Sequence, residues 1–292
     1  MGYGRYSTDG YNRLKKRRGY HRKSRAEIFE SRQLDPHMDP RRVKCRESRD
    51  SEEHPESVPI IIALDVTGSM GMVPEDIVKD RLPDLMDTLM QAGVADPQIL
   101  FLGIGDFVYD SAPLQVGQFE SSTELLDRWL TKVYLEGGGG GNNQESYNLA
   151  YLFAARHTAI DSWDKRQQKG FLFTIGDEPC ARNVPGDVVR RLTTAKVGRK
   201  VATSTLVEEA RQRYHLIHLH VEHDAMAKTE QRKAGWRELL GTDFVTLEDY
   251  QDLAKTIATL VVDQLTKDKG PTRPAPDKAL PSVRELLTEE ML

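Results

Sequence analysis

Oxygen-bearing side chains follow the first long apolar run of this sequence. That run ends at Leu64, and Asp65, Thr67 and Ser69 come directly after it at alternate positions. Gly68 lies among them and allows the segment to turn tightly. A carboxylate and two hydroxyls presented together are ligands that hard cations such as Mg²⁺ prefer. The spacing therefore predicts a site for Mg²⁺ or Mn²⁺.

Two further segments are placed to complete that site. Asp177 follows a later apolar run that ends at Ile175, and the carboxyl ends of parallel strands meet at one edge of a sheet. Between the two runs lie five consecutive glycines, 137–141, followed by Asn142 and Glu145. A run of glycines is entropically costly, so it indicates a close backbone approach.

The pattern from residue 58 onward alternates apolar runs with amphipathic segments. Strands are predicted at 58–65, 98–105, 170–175, 214–221 and 243–247, with a short antiparallel edge strand at 114–119. Helices are predicted at 75–91 with a kink at Pro83, and at 122–133, 145–160, 205–212, 228–240 and 249–266. Continuous apolar runs are typical of strands buried on both faces of a parallel sheet. The fold class predicted is α/β, with a doubly wound, mostly parallel sheet of about six strands, residues 58–64 in its middle and flanking helices.

The three loops together resemble a known family. Asp-x-Thr-x-Ser at 65–69, a glycine-rich loop before a helix and Asp177 after a later strand are similar to the metal-ion-dependent adhesion site of von Willebrand factor A domains. The similarity in element order covers about residues 55–266 and implies a Rossmann-like fold. It also implies that Thr67 and Ser69 coordinate Mg²⁺ directly and that Asp65 and Asp177 do so directly or through water. An acidic side chain of a partner protein would complete the coordination.

Two positions differ from the pattern of that family. Thr67 stands where the family has its first serine, and the hydroxyl is kept. The second loop lacks the family's threonine. Asn142 is nearest that position and Glu145 is close to it, so the resemblance leaves open whether the Asn142 amide or the Glu145 carboxylate is the oxygen ligand there. A glutamate there would add negative charge and would compete with a partner's acid for the open coordination position.

The chain termini differ from this body in charge and composition. Residues 1–25 contain nine Lys or Arg and one acid, which makes them +8 and leaves −12 on the rest of a chain whose net charge is −4. We predict a disordered basic arm at 1–25, an extended segment packed on the domain at 26–57, the domain itself at 58–266, and a Pro-rich linker with a C-terminal tail at 267–292. Within that tail, 282–292 has apolar residues at helical spacing. It is either a frayed terminus or, as we hypothesise, a peptide that docks on a groove of this domain or of a partner.

Three function classes are consistent with these features. The one favoured is an adaptor or regulatory module of the cytoplasm that holds Mg²⁺ or Mn²⁺, binds a partner protein through it and catalyses nothing. The second is a metal-dependent hydrolase, for which His54 and Glu178 are the candidate general bases. The third is nucleic-acid binding by the arm, where four tyrosines interleave with basic residues as base stacking would need; they are Tyr3, Tyr6, Tyr11 and Tyr20.

The apolar runs, cysteines, histidines and remaining loop acids indicate no further function. The longest apolar run is too short to span a membrane. Cys45 and Cys180 are too few for a disulfide framework. Four histidines lie at or near one predicted strand and are interpreted as part of that strand and its loop, not as a hydrolase metal site: His215, His218, His220 and His223. Asp106 and Asp110 follow the second strand and are predicted to be solvated loop acids.

Overall fold

The computed structural model describes residues 4–94, 96–135, 144–195, 197–222 and 228–268. These residues form ten strands: β1 Arg46–Ser48, β2 Val58–Asp65, β3 Pro97–Ile104, β4 Leu114–Val116, β5 Thr158–Ile160, β6 Gly170–Gly176, β7 Asn183–Pro185, β8 Lys200–Ala202, β9 Tyr214–Val221 and β10 Phe244–Leu247. They also form eleven α-helices: α1 Thr8–Arg18, α2 Arg25–Ile28, α3 Val73–Asp76, α4 Leu82–Gln91, α5 Thr123–Thr131, α6 Asn148–Arg156, α7 Asp161–Arg166, α8 Gly186–Leu192, α9 Thr203–Arg211, α10 Glu230–Leu240 and α11 Leu253–Asp268.

Six strands form the central sheet, in the order β10-β9-β6-β2-β3-β4. Every neighbouring pair is parallel except β3 and β4, which are antiparallel. β2 lies between β6 and β3, and all its residues from Pro59 to Asp65 are buried, as its apolar sequence predicts. Pro59 is tolerated because β6 pairs with β2 only from Ile60 onward. The predicted fold class is confirmed, with the predicted strand in the middle of the sheet and the predicted antiparallel strand at its edge.

Helices cover both faces of this sheet and form two hydrophobic clusters. On one face α4, α5 and α11 pack on side chains such as Ile62 and Phe101. On the other face α6, α8, α9 and α10 pack on side chains such as Ile61 and Leu102. The alternation of neighbouring β2 residues between the two clusters follows from the two-residue repeat of a strand. This arrangement brings the carboxyl ends of β2, β6 and β9 to one edge, which we call the carboxyl edge of the sheet.

The helix predicted at 75–91 is divided in the structure. α3 ends at Asp76, a π-helical turn occupies Ile77–Arg81, and α4 begins at Leu82. Pro83 has no amide hydrogen, so the turn before it cannot close as regular α-helix. None of the helices in the described ranges is long and apolar enough to cross a lipid bilayer.

The prediction of a disordered arm at 1–25 is wrong for residues 4–25. α1 begins after Ser7, whose side chain accepts a hydrogen bond from the Gly10 amide, and it packs against α4 and α5. Tyr11 and Leu14 are buried in the cluster on that face of the sheet, as is Tyr20, which follows the helix. The many basic residues of this segment favoured disorder, but Tyr11 and Leu14 are three residues apart and therefore lie on one face of a helix.

Residues 29–57 lead from α2 to β2 with little regular structure. Their one strand, β1, pairs in parallel with β5 at a distance from the central sheet. At the other terminus, α11 ends at Asp268. The predicted linker from residue 269 onward and the predicted docking peptide at 282–292 lie outside the described residues.

Candidate metal centre

The loop after β2 holds its polar side chains together by hydrogen bonds. The Thr67 amide and hydroxyl both donate to Asp65 Oδ1, at 2.9 and 2.7 Å. The Thr67 hydroxyl also lies 3.1 Å from the Ser69 hydroxyl. Asp65 and Thr67 are buried, whereas Ser69 is exposed. The group therefore has one buried end and one end that solvent reaches.

The loop after β6 meets this group at Ser69. The Ser69 hydroxyl donates to Asp177 Oδ1 at 3.0 Å, and Asp177 is only 1% exposed. The two loops meet because β2 and β6 are adjacent parallel strands that end at the same edge. Four of the six predicted ligands, Asp65, Thr67, Ser69 and Asp177, thus form one continuous chain of oxygen atoms.

Tyr147 anchors the buried end of the group. Its hydroxyl donates to Asp65 Oδ2 at 2.6 Å from a fully buried position at the start of α6. It reaches Asp65 across Gly176, the last residue of β6. A Cβ on Gly176 would overlap the Tyr147 hydroxyl, so the close approach requires glycine there.

Further carboxylates surround this group. Burial, together with the Asp177 charge, raises the pKa of Asp65 to about 7. Burial, with the charges of Asp65, Asp106, Asp110 and Glu178, raises the pKa of Glu145 to about 10. Like charges in a desolvated site disfavour one another's ionised forms. The carboxyl groups clustered at the carboxyl edge therefore keep their protons to a higher pH than isolated ones do.

The environments of the neighbouring acids support the same conclusion. Burial raises the pKa of Glu178 to about 7, with Arg232 opposing and Asp177 adding to the rise. Glu145 Oε2 and Glu178 Oε2 are buried and have no hydrogen-bond partner among the described residues. Asp106, predicted to be a solvated loop acid, is buried at 2% exposure. Buried oxygens without partners are costly, and a cation would satisfy them.

α10 supplies a positive charge to this edge from the protein itself. Arg232, in its first turn, contacts Glu178 Oε1 at 2.5 Å and Asp177 Oδ2 at 3.5 Å. One turn later Trp236 donates its indole N–H to the Glu178 carbonyl oxygen at 2.9 Å. Residues four apart lie on one face of a helix, so this face of α10 holds the loop after β6. One guanidinium is shared between Asp177 and Glu178, and no ion pair among the described residues reaches Asp65 or Glu145.

One of the two buried histidines of β9, His218, packs beside these residues. His218 stacks on Trp236 with ring centroids 3.6 Å apart and planes inclined by 10°. Its Nδ1 lies 2.9 Å from the Thr174 hydroxyl, and burial holds its pKa well below the usual value. A neutral, stacked imidazole is consistent with the predicted role of these histidines as part of a strand; His223 lies outside the described residues.

The residues present fit a divalent cation of the Mg²⁺ type. Among the described residues, no three His, Cys, Asp or Glu side chains converge so that they alone could hold a metal ion. The donors at the carboxyl edge are two carboxylates, Asp65 and Asp177, joined by the hydroxyls of Thr67 and Ser69. That set is rich in oxygen and leaves coordination positions to water or another molecule, which is how Mg²⁺ is usually bound.

The remaining predicted residues fall in three places. Glu145 lies at this edge, where its amide donates to the Pro179 carbonyl oxygen at 2.9 Å. Asn142 lies outside the described residues. His54 does not lie near the acids, and its prediction as a general base at this site is wrong. It is buried beside Asp96, before the amino end of β3, with its Nδ1 3.2 Å from Asp96 Oδ1.

Tyr147 and Arg232 are the site residues that sequence reasoning missed. Tyr147 lies two residues beyond the predicted ligand Glu145, and its only sequence signal is a polar-tipped aromatic at the start of a helix that follows a glycine run. Arg232 is 55 positions from Asp177 in the sequence, and nothing local to α10 indicates which loop it contacts. Contacts of this range depend on how the helices pack on the sheet.

Comparison with known proteins gives weak matches. No protein-family model matches the sequence, and no curated protein does. The pilus adhesin SpaC from Lactobacillus rhamnosus GG, in its open conformation, is similar with a TM-score of 0.49 and 11% identity over 75% of this chain and 31% of that chain.

Two further solved structures are similar at the same level. Proximal thread matrix protein 1 from the mussel byssus has a TM-score of 0.47 and 11% identity, over 72% of this chain and 48% of that chain. A von Willebrand factor type A structure from Catenulispora acidiphila has a TM-score of 0.41 and 13% identity, over 71% and 42%. The chain spans less than half the length of these solved chains. Likenesses of this strength carry no inference about activity or partners.

Proposed function

We propose that this chain is a metal-dependent protein-interaction module. Asp65, Thr67, Ser69 and Asp177 would hold Mg²⁺ or Mn²⁺ at the carboxyl edge, and a partner protein would bind through that ion. The order and types of these residues resemble the metal-ion-dependent adhesion site of von Willebrand factor A domains. When bound, the cation would supply a Lewis-acidic position that an acidic side chain of the partner can occupy.

The observation that carries this proposal is the imbalance of charge at the carboxyl edge. Glu145 and Glu178 are buried with an oxygen each that lacks a partner in the described chain, and Arg232 is the cation that contacts Asp177 and Glu178 there. The exposed hydroxyl of Ser69 lies at the open end of the group. A divalent ion bound there would displace protons from Asp65 and Glu145, would add to the charge that Arg232 supplies to Asp177 and Glu178, and would remain reachable from solution.

Catalysis is the less supported alternative. A metal-dependent hydrolase needs a general base at the site. His54 lies beside Asp96, away from the carboxyl edge, and Glu178 is ion-paired with Arg232.

Nucleic-acid binding by the N-terminal segment is also less supported. Tyr6, Tyr11 and Tyr20 are buried and cannot stack on bases; Tyr3 lies outside the described residues. We therefore propose an adaptor or regulatory role without intrinsic turnover.

Isothermal titration with Mg²⁺ and Mn²⁺ tests the cation centre. We expect Asp65→Ala to weaken binding by about a hundredfold or more, since it removes one of two ligand carboxylates and the Tyr147 and Thr67 hydrogen bonds that position it. Asp84→Ala is the matched control, because Asp84 is a more exposed acid on α4 and should leave the affinity unchanged. Equal affinity in wild type and Asp65→Ala would contradict the proposal.

A further inference from the structure

An excursion of the chain beside the carboxyl edge carries a second charged feature. After the Asp177 loop the chain forms β7, α8 and β8, in which β7 and β8 pair as antiparallel strands. Five exposed cations lie on this excursion, and we call them the basic collar: Arg182, Arg190, Arg191, Arg199 and Lys200. The only acid among the described residues from 182 to 200 is Asp187, in a body whose net charge outside residues 1–25 is strongly negative. The collar is therefore a positively charged region on a domain whose net charge is negative.

The cations of the collar are not used by the described part of the fold. No ion pair within 4.0 Å joins any of the five to a carboxylate of the described residues, in contrast to paired surface cations such as Arg156 with Glu209 at 2.8 Å. Arg190 and Arg191 make only bonds to backbone carbonyls, and the side chains of the other three make no hydrogen bond within that part of the chain. Five charges kept apart from the acids of their own domain are available to an external anion.

Hydrogen bonds to backbone carbonyl oxygens hold the collar next to the candidate metal centre. The Ala181 amide donates to the Glu145 carbonyl oxygen at 3.0 Å, so the base of the excursion runs beside the acidic group. Arg191 Nη2 donates to the Phe107 carbonyl oxygen at 3.2 Å, in the loop that begins with Asp106. The collar and the acids are thus parts of one surface with opposite charges in fixed positions.

Two apolar side chains project from the same loop. Val108 and Tyr109 are 58% and 59% exposed, directly after the residue that Arg191 contacts. Exposed tyrosine beside arginine is the composition found at the centre of protein–protein interfaces. Nucleic acid fits this surface less well, since phosphates placed on the collar would lie beside the acids of the metal centre and the apolar pair would meet no complementary group.

We propose that the basic collar binds an acidic polypeptide segment of the partner and thereby determines which proteins the cation centre accepts. This inference rests on the proposed function, because the cation removes the repulsion that the acids at this edge would otherwise exert on such a segment. One acidic side chain of the partner would lie at the cation and further Asp or Glu residues along the collar. Val108 and Tyr109 would contact an apolar residue of the same segment.

The test is fluorescence anisotropy with a fluorescein-labelled peptide of about ten glutamates, with Mg²⁺ or with EDTA at about 50 mM salt. The variant is Arg182→Glu/Arg199→Glu/Lys200→Glu, whose three side chains are exposed and make no hydrogen bond within the described residues. The matched control is Arg13→Glu/Lys16→Glu/Arg17→Glu, which reverses three exposed cations of α1 on the opposite face of the sheet. Circular dichroism checks that all three proteins fold, and Mg²⁺ titration checks their cation centres.

We expect the collar variant to bind the peptide about tenfold or more weakly than wild type, and the α1 variant to bind it like wild type. The difference should shrink at about 300 mM salt, because exposed charges are screened. Equal binding by wild type and collar variant, an equal loss in both variants, no binding by wild type, or tighter binding of a DNA duplex of similar charge would each overturn the inference. Binding that requires the collar and is unchanged by EDTA would support the collar and contradict the cation-dependent function.

Discussion

The carboxylates at the two ends of the central sheet differ in how many cations their own chain supplies to them. At the amino end, Asp161 is bonded to Arg49 at 2.6 Å and to Lys165 at 2.7 Å, and Asp50 is bonded to Arg166 at 2.5 Å. Burial opposes ionisation of Asp161, but hydrogen bonds from Lys165 and Arg49 outweigh it and hold its pKa below the usual value. Burial of Asp50 is likewise outweighed by hydrogen bonds from Ser57 and Arg166, which lower its pKa.

At the carboxyl edge the balance is reversed. Burial and the charge of Asp177 raise the pKa of Asp65, and burial dominates the rise for Glu145 and Glu178. The single guanidinium of Arg232 is shared between two acids. Carboxylates that receive cations from their own chain stabilise the fold, whereas buried carboxyl groups without such partners reduce its stability. That difference distinguishes the network at the amino end from the candidate binding site at the carboxyl edge.

The largest effect is expected from breaking the network at the amino end. Asp161→Ala should lower the free energy of unfolding by about 3 kcal/mol, because it leaves Arg49 and the Asp50 amide without their buried partner. Chemical denaturation measures the change. Glu52→Ala is the control, since Glu52 is exposed in the same segment and its loss should change stability by less than about 0.5 kcal/mol. Similar effects of the two substitutions would show that the ion-pair network at the amino end does not stabilise the fold.

A smaller effect is expected where a buried carboxylate is partnered by the N-terminal segment. The Tyr20 hydroxyl donates to Asp127 Oδ1 at 2.6 Å, and the Asp127 side chain is fully buried. Tyr20→Phe should lower the free energy of unfolding by about 2 kcal/mol, because the buried Asp127 carboxylate would lose this hydrogen bond. Arg18, 3.4 Å from Asp127 Oδ2, would remain as its partner. Tyr109→Phe removes an exposed hydroxyl and serves as the control. If Tyr20→Phe were as neutral as Tyr109→Phe, the N-terminal segment would not be an integral part of the fold.

The smallest effect is expected in the acid range of the stability profile. The pKa values of Asp50 and Asp161 are lower in the folded protein than the ordinary value of 3.8. Their stabilisation is therefore fully present above about pH 4 and is lost as the pH falls below it toward the folded pKa values. Denaturant unfolding at a series of pH values should show a shallower acid loss, by about 1 kcal/mol, in Asp161→Ala than in wild type. Parallel profiles would show that interactions in the folded state do not lower the pKa of Asp161.

The sequence predicted the sheet well because the strand pattern is local. Val58–Asp65 and Tyr214–Val221 are continuous apolar runs, and both strands have the predicted bounds. The loop after β2 was predictable for the same reason, since three of the candidate ligands lie within five residues. α1 was missed because its apolar positions are few among basic residues, and it is stabilised by packing on α4 and α5.

The rest of the site depends on contacts between distant segments. Tyr147 reaches Asp65 only because Gly176 leaves room between two strands, and Arg232 reaches Asp177 only through the packing of α10. His54 was assigned to the wrong end of the sheet because it precedes β2 by a few residues, and the direction of that strand carries it away from the acids. Side-chain type and spacing identify candidate ligands, whereas tertiary packing determines which charges remain uncompensated.

The most direct test of the account is the unfolding free energy of wild type and Asp177→Asn, each measured in EDTA and in excess Mg²⁺. Asparagine keeps an oxygen that can accept from the Ser69 hydroxyl and removes one of the competing charges. In EDTA the variant should be as stable as wild type or more stable. Mg²⁺ at about a hundred times its Kd should stabilise wild type by about 2.7 kcal/mol and the variant by much less. A variant clearly less stable than wild type in EDTA, or equal stabilisation of both proteins by Mg²⁺, would contradict the claim that the acids at the carboxyl edge bind an external cation.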